Sequence, residues 1–128
     1  MKRLTLIALA VLLLTPLANA QTLVREFRGT GDATTAEFYV EGPWLLDWRL
    51  DGNYSALLAL EIHLVQARGG EHVGRVLHTK RRGNGVKLFE EGGSYRLRIS
   101  STLANWRIRI QQITEEEAEL YTPRRDNN

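Results

Sequence analysis

The sequence predicts a small all-β domain, an antiparallel jelly-roll-like sandwich of about eight short strands. Two observations support this. In most segments the apolar residues recur with a period of two, which is typical of half-buried strands. Clusters of glycine, asparagine and proline separate these segments at short intervals, as turns do in sandwiches and barrels. A closed eight-stranded barrel is the alternative, because periodicity alone does not separate the two architectures.

The alternation assigns the strands in chain order. In the segment 44–50, Trp44, Trp48 and two leucines share one face, while Asp47 and Arg49 lie on the other. All three tryptophans of the chain fall on the apolar side of their strands, so we expect them in the core and not on a sugar-binding surface. The predicted strands are 23–28, 36–41, 44–50, 57–66, 72–78, 86–89, 95–100 and 105–112, with turns at the glycine clusters between them, including the one at 83–85.

The last segment of the chain changes character. Thr114, followed three residues later by Glu117, has capping-box spacing and predicts a short helix over 115–121. Residues 124–128 are expected to be disordered. The expected division of the chain is a signal peptide at 1–20, a β-sandwich domain at 21–113 and an acidic, partly disordered tail at 114–128.

Residues 1–20 have the three parts of a secretory signal peptide. A short basic segment at 1–3 precedes an apolar run at 4–14, and Pro16 and small residues at 18–20 follow. The apolar run is too short for a transmembrane helix, which needs ~20 apolar residues. We therefore expect cleavage at the end of this segment, which gives a periplasmic or secreted protein without a membrane span.

Removal of the signal changes the charge balance. The full chain has 17 Lys and Arg against 15 Asp and Glu, and Lys2 and Arg3 would leave with the signal. The mature form would then carry no net charge, so no nucleic-acid partner is expected from overall charge. The chain has no cysteine, which excludes disulfides, a cysteine nucleophile and acylation on cysteine.

Conspicuous motifs stand at the two ends of the predicted domain. From Phe27 to Trp44 the chain reads F-x-G-x-G-D-x-x-T-x-x-F-x-V-x-G-x-W, and it closes with G-x-Y-x-L-x-I from Gly93 and W-x-I-x-I from Trp106. This pattern resembles small, uncharacterised, exported bacterial β-sandwich modules and is similar to jelly-roll domains appended to secreted peptidases. The resemblance implies an exported sandwich. It brings no catalytic residues, because its motifs are turn glycines and core aromatics.

No catalytic residue, cofactor or metal is predicted. The serines lack the Gly-x-Ser-x-Gly context of a nucleophile elbow, so a hydrolase with an unrecognised site is only the third hypothesis. His72 and His78 would lie about 20 Å apart on one extended strand, too far to share one metal ion. A bend, or a site that combines His63 with one of them, is left open. Asp32 is expected to stabilise a turn and not to bind calcium.

Arginines provide the strongest chemical signal. If the segments 95–100 and 105–112 pair as a hairpin, their outward arginines share one face, where like charges would oppose one another. Such a face needs counter-charges, or it binds phosphate, sulfate or carboxylate groups. The candidate anion-binding residues are Arg96, Arg98, Arg107, Arg109, Arg81 and Arg82, and Tyr54 in the turn at 51–55 is the candidate aromatic contact.

The sequence therefore predicts a non-enzymatic exported binding module that recognises an anionic cell-envelope component through an arginine-rich sheet face. The alternative is a protein-interaction or inhibitor module that holds an exported protein partner through loops or an edge strand. High salt should weaken the first kind of binding more than the second. We also expect the acidic segment 115–119 to dock on the arginines and screen them, so that deletion of the tail would raise the affinity for anionic polymers.

Overall fold

A computed structural model describes residues 21–53 and 57–122 of the chain. The predicted signal peptide at 1–20, Tyr54 and the predicted disordered end at 124–128 lie outside the described residues. The described elements are β1 (Thr22–Gly29), β2 (Ala33–Thr34), β3 (Phe38–Val40), β4 (Trp44–Asp51), β5 (Ala59–Gln66), β6 (His72–Thr79), β7 (Gly83–Phe89), β8 (Gly93–Thr102), β9 (Asn105–Gln112) and the helix α1 (Glu115–Tyr121).

These strands form two antiparallel sheets. Sheet A has the order β1-β9-β4-β7, and sheet B has the order β2-β8-β5-β6, with β3 also paired to β8. The pairs β1–β9, β2 and β3 with β8, β4–β7 and β5–β6 nest inside one another, like one long hairpin rolled into two layers. This nesting is the jelly-roll arrangement. The predicted sandwich is therefore confirmed, and the closed barrel is wrong because the strands divide between two sheets.

The core lies between the two sheets and is rich in aromatic rings. Trp44 and Trp106 are buried, as predicted, and Trp48 packs at the margin of the core. Trp44 stacks on Phe89, with ring centroids 4.3 Å apart, and its Nε1 donates to the carbonyl oxygen of Glu91 at 2.9 Å. The first strand position of β4 is thus fixed by both packing and a hydrogen bond.

The short C-terminal helix forms where the capping spacing predicts it. The Thr114 side chain accepts a hydrogen bond from the backbone nitrogen of Glu117 at 3.3 Å. Ala118 of the helix packs with Ile113 on Leu45, an outward residue of β4 that the helix buries completely. The helix therefore covers one end of the outer face of sheet A. None of the helices in the described residues has the length and apolar character that a membrane crossing requires.

Two local predictions are wrong. The glycine cluster at 83–85 belongs to strand β7 and does not form a turn. Gly85 lies beneath the indole of Trp48, where a Cβ atom would come within 2.9 Å of the ring, so this glycine makes room for packing. The strand predicted at 36–41 is shorter, and a separate two-residue strand at 33–34 precedes it on the same side of β8.

Candidate functional site

The predicted arginine hairpin is wrong, because β8 and β9 belong to different sheets. The chain crosses from sheet B to sheet A between them, and each strand pairs with strands from earlier in the chain. Arg96 and Arg98 consequently lie on the outer face of sheet B, opposite to the inward Leu97. Arg107 and Arg109 lie on the outer face of sheet A. The four candidates are split between opposite surfaces of the sandwich.

A different set of arginines comes together on the outer face of sheet A. Strands β1 and β4 flank β9, and their register places Arg28 opposite Arg107 and Arg107 opposite Arg49. We call these three residues the arginine row. Neighbouring strands are about 4.8 Å apart, so the row spans about 10 Å across the sheet at its Cα atoms. Arg107 is the central member and the most covered, with 28 % of its side chain exposed.

The next row along the strands has the opposite character. Glu26 stands opposite Arg109, and Arg109 stands opposite Asp47, so the charges alternate in sign. Cross-strand pairs of opposite charge stabilise a sheet, whereas like charges directly opposite destabilise it. One row of this face is therefore electrostatically satisfied, while the arginine row beside it places three positive charges next to one another.

Two carboxylates neutralise part of the arginine row. Glu26 Oε1 lies 3.0 Å from the Arg28 guanidinium, 3.5 Å from that of Arg109 and 3.8 Å from that of Arg107. Asp51 pairs with Arg49 at 3.2 Å, with both side chains more than half exposed. Partial burial acts to raise the pKa of Glu26, but the hydrogen bond and charge of Arg28, joined by Arg109, outweigh it and hold this pKa below its usual range.

Two open grooves border the arginine row. One has a volume of about 420 Å³ and the other about 360 Å³, and both include Arg49 and Arg107 in their walls. Volumes of this size accommodate small polar groups such as sugar or phosphate units. The larger groove is lined by Arg28, Gly29, Thr30, Arg49, Asp51, Asn105, Trp106 and Arg107, and the smaller by Asp47, Arg49, Asn84, Gly85, Val86 and Arg107.

The remaining predicted residues do not join the row as contacts. Arg81 and Arg82 are exposed in the turn between β6 and β7, and the pairing of Gly83 with Leu50 sets this turn beside the end of β4. Arg96 donates to the backbone oxygen of Thr35 at 3.2 Å, a structural role in sheet B.

The acidic helix lies on the same sheet face as the arginines, but at its apolar end. It packs through Ala118 and Tyr121 on an apolar patch that contains Leu45 and Leu88. In the described part of the chain, the arginines of this face pair with Glu26 and Asp51 and not with glutamates of the helix. The expected docking of 115–119 on the arginines is therefore wrong, because the apolar patch determines where the helix packs.

Residues considered for metal binding are also placed by the structure. Asp32 accepts a hydrogen bond from the backbone nitrogen of Ser101 at 2.8 Å, so it ties the segment after β1 to strand β8 and does not make the local turn contact that the sequence predicts. Within residues 21–53 and 57–122, no group of three or more His, Asp or Glu side chains converges as a metal-binding cluster. The three histidines lie on sheet B, on the opposite side of the sandwich from the arginine row.

Sequence reasoning missed Arg28 and Arg49 as partners of Arg107. The alternation does place Arg49 on the outward side of its strand, but the pairing of β9 with β1 and β4 joins the two ends and the middle of the chain. No local signal reports such pairing. No protein-family model matches this chain, and no curated protein matches it significantly.

Proposed function

We propose that this protein is an exported, non-enzymatic binding module that holds anionic groups of a cell-envelope polymer on its arginine row. The observation that carries the proposal is the register of sheet A, which sets Arg28, Arg107 and Arg49 directly opposite one another. Such an arrangement costs stability in the free protein. An anionic ligand offsets that cost when it binds. In the adjacent row, Glu26 and Asp47 flank Arg109, so acidic residues can occupy such positions of the sheet and the fold does not require three arginines in one row.

The chemistry of the row suits phosphate, sulfate and carboxylate groups. Each guanidinium offers a planar fork of donors that matches two oxygens of such a group. The row spans about 10 Å at its Cα atoms, which favours a ligand with several anionic groups. The grooves on both sides of Arg49 and Arg107 are open, so an extended chain can lie across the face without being enclosed.

Neither Glu26 nor Glu61 is suited to act as a general acid near neutral pH. Glu26 and Glu61 have pKa values displaced downward: Arg28 and Arg109 lower the first against partial burial, and a hydrogen bond from His63 lowers the second. A carboxyl group that acts as a general acid near neutral pH needs a raised pKa. Export, the other part of the proposal, is supported by the signal pattern at 1–20 and by the resemblance to exported sandwich modules.

Two charge-matched double variants test the proposal. Arg49→Ser with Arg107→Ser removes two members of the arginine row, whereas Arg96→Ser with Arg98→Ser removes the same charge from sheet B. Affinity for heparin and for polyphosphate is measured by isothermal titration at about 0.05 M and about 0.5 M salt. With about 1 kcal/mol for each arginine at an anionic surface, the sheet A variant is expected to bind about thirtyfold more weakly at low salt. The sheet B variant should stay within about threefold of the unmodified protein, since distant charges are screened.

Equal losses in both variants would contradict the proposal, because they would show attraction by overall charge. A loss confined to the sheet B variant would also contradict it. If neither polymer binds but an exported protein partner is captured in a salt-resistant complex, the protein-interaction alternative replaces the proposal.

A further inference from the structure

All three histidines of the chain lie on the outer face of sheet B. His63 is on β5, and His72 and His78 are on the neighbouring β6. Two register shifts in this strand pair, between Ile62 and His63 and between Leu64 and Val65, bring His63 diagonally beside His72. The bulges thus bring together two histidines whose contact cannot be predicted from regular strand spacing.

The two imidazole rings face each other through ring nitrogens. His63 Nδ1 and His72 Nε2 are 2.9 Å apart, and the ring centroids are 5.1 Å apart. The other nitrogen of His63, Nε2, lies 2.7 Å from Glu61 Oε1. An ionised carboxylate only accepts, so Nε2 carries the hydrogen and the neutral ring presents the Nδ1 lone pair to His72. This arrangement is that of metal-binding histidines, whose second nitrogen donates to a carboxylate that fixes the ring.

We propose that His63 Nδ1 and His72 Nε2 chelate a divalent transition-metal ion of the Cu²⁺ or Ni²⁺ type. Two nitrogens bound at about 2.05 Å to an ion with right-angled coordination are about 2.9 Å apart, so at the separation seen here both can bind one ion once the rings turn their lone pairs from the hydrogen-bond line toward it. The ion takes the place of the hydrogen that His72 Nε2 donates to His63; that proton passes to solvent and His72 Nδ1 takes one up, so the ring stays neutral and no net proton is released. Glu61 keeps its hydrogen bond and orients His63.

Two arginines beside the histidine pair affect how strongly it can bind a cation. Arg75 and Arg98 are the register partners of His63 on its two neighbouring strands, and both are exposed. Solvent screens their charges, but they make the site weaker for a bare cation than a histidine pair alone. The remaining coordination positions fall to water or to an anionic co-ligand, which the arginines would attract. The site is independent of the arginine row, which lies on the other sheet.

The test uses protein prepared without a histidine tag and titrated with CuCl₂ and NiCl₂, with circular dichroism as the check on folding. We expect one ion per chain at this site and a Cu²⁺ paramagnetic resonance spectrum with coupling to two imidazole nitrogens. His63→Gln and His72→Gln should each weaken binding at least tenfold, and Glu61→Gln should weaken it about tenfold to a hundredfold. His78→Gln is the matched control and should bind within twofold of the unmodified protein.

Failure of the unmodified protein to bind either ion would overturn the proposal. Equal affinity in the His63→Gln, His72→Gln and His78→Gln variants would overturn it as well, because the ion would then be held elsewhere on the chain. All of these positions are at the protein surface or half exposed, so the variants should fold.

Discussion

Replacement of Trp44 by alanine is expected to destabilise the protein by about 3–5 kcal/mol, the usual range for removing a buried tryptophan. Trp44 is fully buried, stacks on Phe89 and donates to the carbonyl oxygen of Glu91. The substitution leaves a cavity between the sheets and removes one hydrogen bond to the Glu91 carbonyl oxygen, which the Tyr95 hydroxyl also approaches at 3.2 Å. Domains of this size have total stabilities of about 5–15 kcal/mol, so the loss is a large part of the whole.

Two further variants separate packing from hydrogen bonding. Trp44→Phe keeps an aromatic ring next to Phe89 but removes the donor to Glu91, and it should cost less than Trp44→Ala. Tyr39→Ala is the matched aromatic control at an exposed position and should change stability by no more than about 0.5 kcal/mol. Chemical denaturation followed by circular dichroism measures all three. A Trp44→Ala protein within about 1 kcal/mol of the unmodified protein would contradict the assigned core.

Glu26→Gln is expected to lower stability and to raise the affinity for anionic polymers. Glu26 contacts three arginines of the sheet A face, so its charge competes with any anion for them. Removal of one negative charge at this distance should tighten heparin binding about fivefold to tenfold at low salt. The same variant should have a lower melting temperature at neutral pH, because Arg28, Arg107 and Arg109 then repel one another without the carboxylate of Glu26.

The stability difference should depend on pH in a defined direction. The pKa of Glu26 is lowered in the folded protein, so its stabilisation is present above the unfolded-state pKa and is lost as the pH falls through the folded-state pKa. The melting temperatures of the unmodified and Glu26→Gln proteins should therefore converge below the ordinary carboxylate range. Glu71→Gln, exposed in the turn between β5 and β6 of sheet B, serves as the control for loss of one acidic charge away from the arginine row. Equal affinities and a constant melting-temperature difference at all pH values would contradict the role given to Glu26.

The fold can be predicted from the sequence because a strand with one buried and one exposed face has alternating apolar and polar residues. The periods in β4, β8 and β9 assign their inward residues correctly, and Thr114 with Glu117 defines the start of the helix. Alternation does not state which strands are neighbours. In a jelly roll the consecutive strands β8 and β9 belong to different layers, so a hairpin inferred from sequence order fails here.

The candidate site shows the same limit more strongly. The alternation identifies Arg107 as an outward residue, but its partners Arg28 and Arg49 come from strands far away in the chain. The contact between His63 and His72 depends on two register shifts, and no composition or spacing rule locates a bulge in advance. The outward orientation of single side chains can thus be predicted from the sequence. Which of these side chains share a surface depends on the pairing of distant strands.

The most direct test of the arginine row is to map the bound anion on the protein. Backbone amide and arginine side-chain resonances would be followed during titration with short polyphosphate at low salt. We predict that the largest shifts occur at Arg28, Arg49 and Arg107 and at their neighbours lining the grooves of sheet A. Shifts centred on Arg96 and Arg98 in sheet B, or spread evenly over all cationic side chains, would contradict the proposal that the arginine row is the binding site.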